Sequence, residues 1–296
     1  MADRGVRARG VRKAYNRRRP VLGGIDLDVR PGEVVGLIGP NGAGKTTLTS
    51  CLLGFLHLDG GEVSFDGLRN DDLRIRRRTG YVPERMNLGR RITGWQFVRY
   101  MARLAGVPRA EADARVDAIL DRLGLSDAAG RALGGYSRGM LQRVALCQAL
   151  IHEPDFLFLD EPASGLDPNG VLLVRDLIAE EKKRGAAVLL NSHQLAEVEK
   201  VCDRVVFLLG GVIARVETLR HTDKCVFAIR FLPRSFDAAV VERIAGRAPD
   251  GDVVIVSRES EAEIAALVRE LAAGGAGVVE VRPHVADLEG IFRGAS

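Results

Sequence analysis

Glu33-Val34-Val35-Gly36-Leu37-Ile38-Gly39-Pro40-Asn41-Gly42-Ala43-Gly44-Lys45-Thr46-Thr47 is the stretch from which the rest of the chain is read. Residues 33–38 are an apolar run with the character of a buried strand, and residues 45–55 have helical spacing. Between them lies the pattern G-x-x-x-x-G-K-[ST], which carries weight only in a strand–loop–helix context such as this one. The glycines of Gly39 to Thr47 let the backbone curl so that successive N–H groups point inward, and the following helix offers its unpaired N–H groups to an anion. Lys45 is then placed to reach the β and γ phosphates of a nucleotide, and Thr46 to hold Mg²⁺ through its hydroxyl. A glycine-rich turn before an ordinary helix is the alternative.

With 296 residues, 46% of them hydrophobic, the chain has room for one large α/β domain and a small second one. Its longest nearly uncharged apolar stretch, Val205 to Ala214, is interrupted by Gly210 and Gly211 and falls short of the ~20 residues a membrane helix needs. No apolar signal core follows the N-terminus, so a cytoplasmic location is expected. Cys51, Cys147, Cys202 and Cys225 form no C-x-x-C pair and are read as buried reduced thiols. The formal net charge is +4, and residues 7–19 carry seven basic side chains. A nucleic-acid patch and a solvated or anionic-lipid-facing edge both fit that run; the second is the commoner outcome for a charge run.

Taken in order, the chain keeps placing polar residues at the ends of apolar runs. Residues 4–38 alternate in short antiparallel strands, with Tyr15 falling between two of them. Its ring reads either as a stacking platform for a base or as a strand-edge packing residue. Gly60 to Phe65 and Thr79 to Val82 read as strands, the latter running through Pro83 into a polar loop that begins with Glu84. In doubly wound sheets that carboxyl edge is where ligands sit, which brings Glu84 toward a metal or an attacking water. From Thr93 to about Gly134 the period becomes helical through Trp95, Val98, Met101, Leu104 and then Val116, Ile119, Leu120, Leu123, broken near Pro108 and Gly124. Ser137 is a preferred N-cap for the next helix in Tyr136-Ser137-Arg138-Gly139-Met140, which is either a second anion site or a plain capped helix.

Phe156-Leu157-Phe158-Leu159-Asp160-Glu161 is a buried strand that delivers two carboxylates at its end. Buried strands seldom end so without a cation, so Asp160 is read as a metal ligand and Glu161 as the group that orients or deprotonates a water. Ser164-Gly165-Leu166-Asp167-Pro168 turns the chain into a helix from about Asn169 to Arg184. The strand at residues 186–190 ends in Asn191-Ser192-His193, which places His193 toward a γ-phosphate. Residues 204–208 and 212–216 are two further short strands. A composition break at residues 218–224 reads as a linker to a small α+β unit with strands at 225–231, 252–256 and 277–281 and helices at 235–245, 259–273 and 285–292.

The phosphate loop, Tyr-Ser-Arg-Gly-Met, Leu-Asp-Glu-Pro, Ser-Gly-Leu-Asp and Ser-His, in this order, resemble the ATPase subunit of an ABC transporter. The resemblance implies a P-loop ABC ATPase core of α/β class over residues 4–218, with an antiparallel β subdomain and a helical insert at about 93–152. A small C-terminal α+β domain at 225–296 would follow. It further implies ATP and Mg²⁺, and two cassettes facing head to tail as a homodimer or heterodimer. Tyr15, the Gly39 to Thr47 loop, Glu84, Asp160, Glu161 and His193 of one chain would meet Ser137, Arg138 and Gly139 of the other. In those roles Glu161 is the general base, Lys45 neutralises developing charge, His193 stabilises the γ-phosphate, and Thr46, Asp160 and Glu84 surround the metal.

Two departures from the family pattern mark a subset. The signature usually begins Leu-Ser-Gly-Gly-Gln, against Tyr136, Arg138 and Met140 here, and the hinge-loop glutamine is Glu84. Both features, with the ending Asp287 to Phe292, are similar to separate-chain ATPases that serve small export permeases for drugs, sodium and polysaccharides. The expectation is therefore a subunit peripheral on the cytoplasmic face of the cell membrane, docked on integral permease subunits through the helical insert, with no nucleic acid bound. A soluble ABC ATPase acting on ribosomes or nucleic acid is the alternative; such chains commonly carry a repeated cassette, and no repeat of the loop occurs here. A P-loop kinase would leave Ser137 and His193 without a role.

Overall fold

The computed structural model describes residues 4–16, 19–86, 89–219, 225–232, 235–258 and 260–283, in two compact units that meet in sequence at Thr218/Leu219.

The first unit opens with β1 (Val6–Asn16) and β2 (Arg19–Val29), followed by β3 (Val34–Ile38), α1 (Lys45–Leu52), β4 (Gly60–Phe65), β5 (Leu68–Arg69), α2 (Leu73–Arg76) and β6 (Thr79–Val82). The helical insert supplies α3 (Gly94–Ala105), α4 (Arg109–Arg122) and α5 (Arg138–Leu150). The chain then returns through β7 (Phe156–Asp160), α6 (Pro168–Arg184), β8 (Ala187–Asn191), α7 (Leu195–Val201), β9 (Arg204–Leu209) and β10 (Val212–Thr218).

Strand order in the larger sheet is β10-β9-β3-β8-β7-β6, parallel except for the antiparallel edge strand β10. Every residue of β3, β7 and β8 is buried, which is why these strands read as unbroken apolar runs rather than alternations. Parallel pairing has a functional consequence: the carboxyl ends of β3, β6, β7 and β8 share one edge, and each is followed by a residue singled out above.

The smaller sheet is antiparallel, in the order β2-β1-β4-β5. Here the sequence reading needs correction. In place of several short strands, β1 and β2 are 11 residues each and pair from Val6↔Val29 to Asn16↔Arg19, with irregularities that keep the ladder going past the glycine breaks. Tyr15 consequently lies inside β1, not between strands. The two sheets share one core. Phe65 of β4 sets its ring edge-on to Phe156 of β7, centroids 5.0 Å apart at 86°, and lies 6.0 Å from Phe158. Burying each such side chain contributes about 1.5–3 kcal/mol.

In the insert, Thr93 caps α3 in a reciprocal capping box with Gln96, and Gly106 in the left-handed region ends it ahead of Pro108. Val98 and Ala102 of α3 and Val116, Ile119 and Leu120 of α4 are buried, whereas Leu104, on the same spacing, is 58% exposed. Ser137 caps α5 by accepting from the Met140 N–H at 3.2 Å. The helix after the phosphate loop stops at Leu52, earlier than its apolar spacing suggests, and α7, too short to show a period, was not legible in the sequence.

The second unit comprises β11 (Cys225–Phe231), α8 (Ala238–Ala245), β12 (Val253–Arg258), α9 (Glu261–Ala273) and β13 (Val278–Pro283). β11 is central and antiparallel to both neighbours, and Ile229, Phe231, Val241, Val254, Val256, Ile264, Leu267 and Leu271 form its core. The helix expected at 285–292 and most of the expected linker, 220–224, lie outside the described residues. Cys51, Cys147 and Cys202 are buried thiols that form no disulfide; burial raises all three. No helix among the described residues is long and apolar enough to cross a membrane.

Candidate functional site

The loop after β3 curls because Gly44, at φ +106, takes a left-handed conformation directly before α1. Asn41, Gly42, Gly44, Lys45, Thr46 and Thr47 line a cleft of about 480 Å³. The carboxyl ends of the neighbouring strands close it with Glu84 after β6, Asp160 and Glu161 at the end of β7, and His193 after β8. Residues drawn from four separated stretches of sequence thus converge on one polar cavity of ligand size.

Lys45 folds back over the loop, its Nζ donating to the carbonyls of Gly39 at 2.5 Å and Pro40 at 3.2 Å. Burial lowers its pKa, opposed by the charges of Glu161, Asp160 and Glu84. Asp160 is only 4% exposed, and burial, countered by the Asn191 amide and reinforced by Glu161 and Glu84, raises its carboxyl. Asn191 donates from Nδ2 to Thr49 Oγ1 at 2.9 Å and toward Asp160 Oδ1 at 3.4 Å, and its Oδ1 is buried without a hydrogen-bond partner. A buried carboxylate beside an orphaned amide oxygen is a donor-poor, oxygen-rich place, suited to a hard cation. Among the described residues no cluster of His, Cys, Asp or Glu holds a metal unaided.

Glu161 has a left-handed backbone, φ +50, uncommon for a residue other than glycine. Its N–H donates to the Asn191 carbonyl at 2.9 Å, and its own carbonyl accepts from Gln142 Nε2 at 3.5 Å and the Ser164 N–H at 3.0 Å. Such strain persists only where the surroundings over-determine it, and it clusters at reacting centres. The conformation turns the carboxylate back onto His193, with Oε1 2.8 Å from Nδ1 and 2.9 Å from the His193 main-chain N.

Tyr15 is 64% exposed and its hydroxyl lies 3.3 Å from Thr47 Oγ1, at the loop but outside the cleft lining. Gly39, Pro40 and Ala43 build the loop by backbone contacts, including Ala43 N–H to Pro40 carbonyl at 3.1 Å. Ser137, Arg138 and Gly139 do not line the cleft; Arg138 donates instead to Ser164 Oγ at 2.7 Å. Sequence reasoning missed three participants: Ser164 and Val21, which line the cleft, and Asn191, which sits behind Asp160. Ser164-Gly165-Leu166-Asp167 was visible as a turn, and Asn191 as a polar residue ending an apolar strand; nothing in the sequence marked Val21.

The profile of the ABC transporter family matches residues 22–164. The chain is 44% identical over 209 residues, 68% of its own length and 62% of the other's, to an ABC transporter ATP-binding protein of Nostoc sp.. It is 33% identical over 282 residues to the ABC transporter ATP-binding protein YdbJ of Bacillus subtilis, covering 93% of this chain and 90% of that one. A fluoroquinolones export ATP-binding protein of Mycobacterium tuberculosis is 35% identical over 216 residues, 72% and 70% of the two chains. Among solved structures, the ATP binding subunit of an ABC transporter superposes with TM-score 0.69 at 28% identity, over 90% of this chain and 99% of that one. The dimeric structure of a bacterial ABC transporter cassette gives 0.68 at 25% identity, over 73% and 100%. The fold agrees with these likenesses, and the chain belongs to the ATP-binding proteins of the ABC transporter family.

Proposed function

We propose that this chain binds and hydrolyses ATP as the cytoplasmic ATPase subunit of an ABC membrane transporter working in export, peripheral to the membrane. One observation carries the reading: the phosphate loop, Asp160 and the paired Glu161 and His193 line a single cleft. Phosphoryl transfer to water demands little covalent chemistry and much positioning and charge stabilisation, which is what such a set supplies.

In this proposal the loop N–H groups and the α1 N-terminus hold the β and γ phosphates, and Lys45 leaves the Gly39 and Pro40 carbonyls to reach them. Glu161 takes the proton of the attacking water, and His193 donates to the γ-phosphate. Mg²⁺, held by Thr46, Asp160 and Glu84, would neutralise phosphate charge when bound. Tyr15 stacks on the base. Ser137, Arg138 and Gly139 lie outside this chain's own cleft and fit the role of capping a partner's nucleotide from the end of α5. The dimeric cassette among the structural neighbours supports that arrangement. The fluoroquinolones export relative supports export; in this reading permease subunits dock at the helical insert. The chain spans 62% and 53% of the lengths of its Nostoc and Synechocystis relatives.

Glu161→Gln tests the reading, because it keeps size and removes the base. Light scattering with ATP and Mg²⁺ should show the variant as a persistent dimer while hydrolysis falls by roughly two to three orders of magnitude. Hydrolysis at the parental rate would remove Glu161 from its role.

A further inference from the structure

Arg138 is bonded within its own chain, and the way it is held suggests a purpose for the departure from the usual signature. The segment between β7 and α6 is fastened to α5 at three points. Gln142 Nε2 donates to the Glu161 carbonyl at 3.5 Å, Arg138 Nη2 to Ser164 Oγ at 2.7 Å, and Arg143 Nη2 to Asp167 Oδ1 at 3.4 Å. On α5, residues 138 and 142 lie one turn apart on one face with 143 further round the helix, and their partners recur every third residue along 161–167. That segment is itself stiff: Ser164 N–H bonds Glu161 carbonyl at 3.0 Å, Leu166 N–H bonds Ala163 carbonyl at 3.2 Å, and Asp167 caps α6 through the Gly170 N–H at 3.1 Å.

Contact at the Arg138 point is close. Gly165 sits at φ +77, and a Cβ there would come within 2.7 Å of Arg138 Nε and 2.8 Å of Cδ, so the side chain lies against a bare α-carbon. A Cβ on Gly139 would meet the Gly165 carbonyl at 3.4 Å, which brings the first turn of α5 against the same loop. Ser164 has two faces: it lines the nucleotide cleft and it accepts from Arg138. Ser137 spends its hydroxyl on the cap of α5, leaving the first N–H groups of the helix free to face an anion.

We propose that Arg138 is a positioning residue that latches the N-terminus of α5 to Ser164. Occupancy of a chain's own cleft then sets where it presents the Ser137 to Gly139 N–H groups to the partner's nucleotide. The guanidinium thus acts on phosphate through Ser164 rather than as a direct ligand. The kinetic part of the proposal rests on the ATPase reading above; the mechanical part does not.

Amide hydrogen exchange on the full chain without nucleotide tests the mechanical part. Ser164→Ala leaves α5 unaltered in sequence, yet should speed exchange across residues 138–142 about fivefold. Arg138→Ala should do the same across 163–166, the size expected for a net loss of about 1 kcal/mol at one solvent-exposed hydrogen bond. Ser164→Thr, which keeps the hydroxyl, should restore protection. Unchanged exchange in both alanine variants would overturn the latch. In ATP hydrolysis each alanine variant should lower kcat about tenfold with KM held within about twofold, and the double variant should be no slower than either single one. Losses that multiply to about a hundredfold in the double variant, or a loss confined to KM, would show Arg138 acting on phosphate directly and overturn the proposal. A parent chain that bound but never hydrolysed ATP would count against the proposed activity alone, and exchange would still decide the latch.

Discussion

Glu161 Oε1 faces His193 twice, at 2.8 Å from Nδ1 and at 2.9 Å from the main-chain N–H. One carboxylate oxygen therefore fixes both the imidazole and the backbone of the loop after β8, and the strained backbone of Glu161 makes this possible by turning its side chain across the end of the sheet. Glu161 and His193 are therefore a single positioned unit.

For that reason His193→Ala should do more than delete one donor. ATP hydrolysis is expected to fall roughly 10²–10³-fold, the usual cost of a lost donor to developing charge, with KM for ATP changed little. Combined with Glu161→Gln the loss should not multiply, since members of one catalytic unit are non-additive. Steady-state kinetics of the two single variants and the double decide this.

Asp160 carries its charge in a buried place, and burial raises its carboxyl above the ordinary value of 3.8. An acid raised in the folded state makes folding less favourable once ionised. This cost is absent while both states are protonated, below 3.8, and is fully present above the folded pKa. Asp160→Asn should therefore raise Tm at pH 7 by about 2–4 °C, the shift that follows from about 1 kcal/mol in a domain of this size. The gain should shrink as pH falls toward 3.8. Mg²⁺-dependent hydrolysis should be lost in the same variant. A Tm scan in nucleotide-free buffer over pH 4–8 checks the sign.

Phe65 is the ring that joins the two sheets of the first unit, at 1% exposure and in edge contact with Phe156. Phe65→Ala should cost about 3–5 kcal/mol, transfer and cavity terms together. In urea the midpoint should drop accordingly, far more than for Leu104→Ala at an exposed site.

Gly44→Ala should damage the site more than the fold. A Cβ there would lie 3.0 Å from Leu22 Cδ2 and 3.1 Å from the Val21 carbonyl, at φ +106. Holding a non-glycine residue in that conformation costs about 1–3 kcal/mol, and Val21 lines the cleft. Fluorescent-nucleotide titration should show affinity lowered at least about tenfold, the equivalent of about 1.4 kcal/mol.

Much of this site was legible because parallel strands advertise themselves. β3, β7 and β8 are buried on both faces and so appear as unbroken apolar runs, and the first polar residues after each run must emerge at one edge of the sheet. The loop from Gly39 to Thr47, Asp160, Glu161 and His193 could be drawn to a common edge on that ground alone. The β1/β2 pair was misread because glycine and proline breaks resemble strand ends locally, whereas a partner strand carries the ladder through them. Short elements such as α7 offer too few residues for a period to show.

The sequence by itself determined which residues end the buried strands and which loop curls into the start of α1, since both follow from local hydrophobicity, glycine placement and the geometry of a helix N-terminus. Only the tertiary structure decided what those residues touch. That Asn191 stands behind Asp160, that Glu161 holds His193 across neighbouring strands, and that Arg138 reaches Ser164 rather than the cleft of its own chain depend on contacts across 26 to 32 residues of sequence. Hydrogen bonds between elements are set by strand register and helix packing, and no local pattern encodes the partner.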